Sequence, residues 1–164
     1  MKKLMCILVM LCLLTGCGSE KVLETVEDVY SPQEIAPMEL SLTLPEGASV
    51  MTLSSQMERL YLCDGFTVAV QTLQGGDLNR TVKETTGYEA DRLTLIATEK
   101  GEIACYRFSW ASLGEGGDQV ARTLILDDGC YHYAVTVMAP AEKAGALADT
   151  WQEILSSVSL RTDP

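Results

Sequence analysis

Residues 119–160 read QVARTLILDDGCYHYAVTVMAPAEKAGALADTWQEILSSVSL, and they hold the two patterns that decide the fold. Gln119–Leu126 and Cys130–Ala139 both read as extended chain, and in the second Tyr131, Tyr133, Val135 and Val137 fall on one face. Between them lies Asp127-Asp128-Gly129. Aspartates there hydrogen-bond nearby backbone and glycine accepts a positive φ, so the segment is a hairpin turn. Pro140 closes the second strand and the period changes. Ala144, Leu147, Ala148, Trp151, Ile154, Leu155 and Val158 recur at helical spacing as a single apolar stripe. A hairpin followed by a one-sided helix buries both apolar faces only if the helix lies on the sheet.

Working towards the N-terminus, Glu102–Ala111 sets Ala104, Tyr106, Phe108 and Trp110 on one face. A Glu99-Lys100-Gly101 turn joins it to Arg92–Thr98. Gly114-Glu115-Gly116-Gly117 is a loop. Asp77 and Gly87 bracket LNRTVKETT as an N-cap and a left-handed stop, which predicts a short helix of about nine residues. Before it, Gln56–Cys63 and Phe66–Leu73 flank Asp64-Gly65, a two-residue hairpin signal. Glu39–Leu44 alternates as a first strand and Pro45-Glu46-Gly47 ends it. The fold class is therefore α+β: an antiparallel sheet with a short inserted helix and a long C-terminal helix packed on it, one domain over residues 38–161.

Hairpin pairs, a short helix after the early strands, and a last helix running through W-x-E-I-L-S-S-V-S-L (Trp151–Leu160) into a short strand resemble the PsbP-like fold. That superfamily is named after a photosynthetic subunit and includes many small bacterial lipoproteins. The resemblance covers roughly Glu39–Leu160 and implies a sandwich that serves as an assembly factor, adaptor or envelope anchor. Its members share no catalytic residue set, so it carries no functional position onto this chain.

The N-terminus carries a separate signal. Lys2 and Lys3 precede an apolar run from Leu4 to Leu14, too short to span a bilayer, which takes about 20 apolar residues. Leu14-Thr15-Gly16-Cys17 then resembles the lipobox of bacterial lipoproteins. The resemblance implies cleavage of residues 1–16 and lipidation of Cys17, with the acyl chains holding the protein on the extracytoplasmic face of the cell membrane. Residues 17–37, acidic and carrying Pro32 and Pro37, read as the lipidated cysteine and a flexible tether.

The 164-residue chain has a net charge of −11, and removing residues 1–16, with two lysines and no acid, moves it to −13. Such a surface repels the phosphate backbone, which argues against nucleic acid as a partner. It also repels anionic headgroups, leaving the acyl chains as the attachment. Beyond Cys17 three cysteines remain. A simple meander over 102–139 sets Cys105 beside Leu124 and Tyr133, two strands from Cys130 and too far for a disulfide.

The chemistry-bearing residues are few. His132 is the only histidine. A hydrolytic reading pairs it with Cys130 or a serine and orients it with Asp127 or Asp128, but no nucleophile elbow is present. A half-exposed strand histidine is the plainer expectation. Neither the Asp127-Asp128 turn nor the Glu115–Asp118 loop has the alternating carboxylates of a calcium loop, and no zinc or phosphate-loop spacing occurs. No cofactor is implied. The aromatics Tyr106, Phe108, Trp110, Tyr131 and Tyr133 either build the core or line a groove. Three functions stay open: a tethered binding or assembly module, a small hydrolase or thiol enzyme, and a structural envelope protein. The first is preferred, with an unknown protein or envelope partner. Loops on a rigid sheet usually carry recognition, so Glu115, Asp118, Asp127 and Asp128 are the candidate partner-binding residues.

Overall fold

The computed structural model describes residues 35–51, 57–113 and 117–161. The signal segment, Cys17, the tether up to residue 34, and Glu115 lie outside the described residues.

Among the described residues nine strands and three α-helices follow in order: β1 (Glu39–Ser41), β2 (Ser49–Met51), β3 (Glu58–Cys63), β4 (Phe66–Gln74), α1 (Leu78–Thr86), β5 (Ile96–Lys100), β6 (Ile103–Ser112), β7 (Gln119–Asp127), β8 (Tyr131–Pro140), α2 (Ala141–Ala144), α3 (Ala148–Ser157) and β9 (Ser159–Arg161). Seven strands form an antiparallel sheet in the order β2-β3-β4-β8-β7-β6-β5. The remaining two, β1 and β9, pair with each other. The α+β class read from the sequence is the observed one.

Local chemistry explains the elements. Asp64-Gly65 closes the β3–β4 hairpin with Cys63 opposite Phe66, and Gly65 takes φ 79°. The Asp77 carboxylate caps α1 through the Arg80 N–H, and Gly87 ends it at φ 80°. Alternation along β7 and β8 then feeds two cores. Val68, Leu124, Leu126, Val135 and Val137 bury against Trp151, Ile154 and Leu155 of α3, with Leu40, Leu42 and Leu44 packed alongside. On the other face Phe108, Ile125 and Ala134 bury against Val82 of α1, flanked by Leu93 and Leu95. Each fully buried large apolar side chain contributes roughly 1.5–3 kcal/mol, so the sheet is held from both sides.

Three sequence expectations need correction, and one strand had no reading in the sequence. The long C-terminal helix is two pieces, parted between Ala144 and Ala148. The Ala146 and Ala148 N–H groups bond three residues back, to Lys143 and Gly145, before the Trp151 N–H to Leu147 bond restarts the α pattern. Strand β5 starts at Ile96 rather than Arg92, since Ala90–Arg92 forms a 3-10 turn and Leu93 and Leu95 enter the second core. Strand β2, short and exposed throughout, had no apolar alternation to announce it. Cys105 faces Leu126, and not Leu124, across the β6–β7 ladder. Leu126 in turn faces Tyr133. Cys63, Cys105 and Cys130 all carry free thiols.

Candidate functional site

The sequence candidates do not converge. Asp118 is exposed at the start of β7, and Asp127 ends the same strand. At about 3.3 Å per residue this puts them roughly 30 Å apart, so the two acidic loops occupy opposite ends of the sheet. Asp127 and Asp128 are also engaged internally. Asp127 Oδ1 accepts the Gly129 N–H and its Oδ2 lies 3.3 Å from His132 Nε2. Asp128 Oδ1 accepts the N–H groups of Cys130 and Tyr131, while Oδ2 accepts the Tyr133 hydroxyl at 2.8 Å.

His132 is not half-exposed. It is 1% exposed, sealed beneath α1, with Nδ1 2.6 Å from Thr81 Oγ1. Thr81 Oγ1 and Asp127 Oδ2 thus approach the two ring nitrogens of the buried imidazole. Thr81-His132-Asp127 has the order of a nucleophile, base and orienting acid. Thr81, however, is itself 1% exposed, so no substrate carbonyl reaches its oxygen. Cys130 is exposed on the turn outside β8. Among the described residues no three His, Cys, Asp or Glu side chains group as a metal site.

The aromatics divide between the faces. Tyr106, Phe108 and Trp110 point to the α1 side. Phe108 is buried, and Trp110 Nε1 donates to Thr123 Oγ1, which is linked to Thr136 Oγ1 at 2.9 Å. Tyr131 and Tyr133 point to the α3 side. Their hydroxyls bind the Ile35 carbonyl and the Met38 N–H, so the end of the stretch read as tether is pinned to the sheet. Burial of Asp128 acts to raise its pKa. The N–H of Tyr131, the Tyr133 hydroxyl and the N–H of Cys130 outweigh it and hold the carboxyl below its ordinary value. Burial and the neighbouring Asp128 carboxylate push the Tyr133 phenol far above its own.

What the sequence reading missed is an open groove of about 710 Å³ beside β6, on the α3 side. Its geometry follows from the early end of β5. Ile96 pairs with Arg107, and the same register continued would set Thr94 opposite Ser109. Instead the chain leaves for the second core, and Thr94 and Ser109 become walls of the groove. Arg92, Arg107 and Arg122 line it with Thr98, Gln152 and Leu155, and no acid lines it. Arg107 is exposed and has no ion-pair partner among the described residues. Arg122 lies over the Trp151 ring at 5.8 Å and reaches the Ala148 carbonyl, and Arg92 is 4.0 Å from Asp91. Ser109 faces Arg122 and Arg107 faces Leu124, so the two arginines are diagonal neighbours on one face. The sequence signal was an arginine at the centre of each of two apolar strands, meaningful only once their register is known.

Comparison with solved structures bears on the architecture. The cyanobacterial PsbP of Synechocystis superimposes with a TM-score of 0.54 at 10% identity, over 79% of this chain and 96% of that one. The fold is PsbP-like. LpqN of Mycobacterium tuberculosis, described as involved in cell envelope biogenesis, matches with a TM-score of 0.50 at 12% identity, over 77% of this chain and 87% of its own. A protein from Bacteroides thetaiotaomicron matches with a TM-score of 0.53 at 14% identity, over 76% of this chain, which spans only 46% of that protein's length. No protein-family model matches the sequence, and neither does any curated protein. At these identities the PsbP-like likeness concerns the fold alone.

Proposed function

We propose that this chain is a membrane-tethered, extracytoplasmic binding or assembly module without chemistry of its own. The observation that carries the reading is the arginine-lined groove beside the open part of β6: a concave, accessible surface, largely apolar with three arginines on its walls, built on rigid strands. The hydrolase reading loses its support, because the histidine that would serve it is enclosed with Thr81 beneath α1. The tether rests on the lipobox resemblance at Cys17. No helix among the described residues is long and apolar enough to cross a membrane. LpqN, of similar fold, is described as acting in envelope biogenesis, which agrees with a role outside the cytoplasm.

A photo-crosslinking amino acid at Ser109, compared with one at Glu84 on exposed α1, tests the reading in native membranes. A discrete adduct at Ser109 and none at Glu84 is expected. No adduct at either position, together with reproducible turnover of an ester or peptide abolished by His132→Ala in a folded protein, overturns it.

A further inference from the structure

We infer that the groove takes an extended acidic peptide segment of a partner protein, added as a strand along β6 with its carboxylates on Arg107 and Arg122. The inference rests on the binding-module reading and names the class of ligand. Two independent features of the groove support it.

The first is backbone. Lys100 and Ile103 flank a two-residue turn and form the hydrogen-bonded pair that closes the β5–β6 hairpin. Every second residue of an antiparallel strand directs its N–H and C=O to the same side, so Ile103, Cys105, Arg107, Ser109 and Ala111 all address the β5 side. The ladder with β5 ends at Arg107. Beyond it the Tyr88 hydroxyl, 2.8 Å away, donates to the Ala111 carbonyl, which agrees with that carbonyl facing outward. Among the described residues no strand lies beside the Ser109 N–H and C=O or the Ala111 N–H, so they stand at an edge. Open edges of this kind accept extended peptides through main-chain hydrogen bonds, with alternate side chains conferring specificity.

The second feature is charge. Strand residues two apart share a face, so an added strand would continue the face carrying Ile96, Arg107, Ser109 and Arg122. Three of the six arginines of a chain with net charge −11 line this one groove, and no carboxylate among the lining residues neutralises them. Carboxylates on the incoming strand would find guanidinium partners on one face, and guanidinium–carboxylate bonds are among the stronger hydrogen bonds. Ile96, 61% exposed, offers an apolar contact next to Arg107. The overall negative charge does not forbid this, because in physiological salt charges beyond about 8 Å are largely screened.

The test is fluorescence anisotropy of the intact chain with a labelled peptide of alternating glutamate and valine. Saturable binding is expected, weakened about tenfold or more by Arg107→Glu, the loss associated with one charge-assisted hydrogen bond. Ser109→Pro should weaken it similarly by removing an outward N–H without breaking the β6–β7 ladder, since edge strands tolerate proline there. Should that variant unfold, a peptide N-methylated at alternate residues makes the same test on the native chain and should not bind. Equal binding of the N-methylated peptide, or of a lysine–valine peptide, overturns the proposal. So does Arg107-dependent binding of inorganic phosphate or phosphatidylglycerol vesicles in place of the peptide, or a dimer in ultracentrifugation that Arg107→Glu dissolves. A Ser109 crosslink in membranes with no peptide binding would sink this inference and leave the binding-module reading standing.

Discussion

The hydroxyl of Tyr133 donates to Asp128 Oδ2 across the tip of the β7–β8 hairpin, and the Tyr133 oxygen itself accepts the Met38 N–H at 2.7 Å. One buried phenol thus ties a turn to the segment that enters the domain. Removing the acceptor with Asp128→Ala leaves a buried hydroxyl to find another partner, at a cost of about 1–3 kcal/mol. The pH dependence follows from the pKa directions. The native pKa of Asp128 lies below the roughly 3.9 of an unfolded aspartate, so its contribution is complete well above that value and is lost as pH falls through the native one. The native pKa of Tyr133 lies above the roughly 10 of an unfolded tyrosine, so its contribution is complete below that value and fades only as pH rises past it. In denaturant titrations the gap between the native protein and Asp128→Ala should narrow progressively as pH falls below about 4. A gap independent of pH would contradict the assignment.

Trp151 is the largest fully buried side chain, 1% exposed, at the centre of the α3 stripe with Ile154 and Leu155 one turn on. Trp151→Ala removes the filling between α3 and the sheet and should destabilise by about 3–5 kcal/mol. A shift below about 1 kcal/mol in a denaturant titration would mean that the site collapses to fill the space.

Gly75 sits where the backbone of Cys130 crosses. Its N–H bonds to the Cys130 carbonyl at 2.9 Å, and a Cβ there would lie 2.8 Å from that carbonyl's carbon and oxygen. Both neighbours are backbone, so neither rotates away. Gly75→Ala should cost about 1–3 kcal/mol in a thermal or denaturant melt. Gly76→Ala, with open space around its Cβ but φ 94°, separates backbone strain from collision. Equal losses at both positions would show that the close approach is not the cause.

Cys17→Ala should shift the protein from the membrane to the soluble or uncleaved fraction, since stable attachment takes two or more acyl chains. Fractionation with mass spectrometry of the N-terminus reads this directly. Membrane retention of a correctly cleaved, unlipidated chain would refute the anchor.

The sequence by itself determined the elements whose causes are local. Asp77 and Gly87 bound α1 because a side-chain cap and a positive φ act within one turn of chain. Asp64-Gly65 closes its hairpin for the same reason, and the Trp151–Val158 stripe announces a buried helix face through spacing alone. The break at Gly145 was legible as a glycine, but not as a break, since packing of Ala144 and Leu147 on the sheet sets where the helix restarts. What only the tertiary structure decided depends on register and on which face each layer covers. His132 looks like an ordinary strand histidine until α1 is laid over it and Thr81 and Asp127 meet its two nitrogens. The acids of two turns look like one binding edge until β7 separates them by its whole length. Arg107 and Arg122 are fifteen positions apart in sequence and become neighbours only through the pairing of Ser109 with Arg122. Cross-strand adjacency is a property of the ladder, and no periodicity within a single strand encodes it.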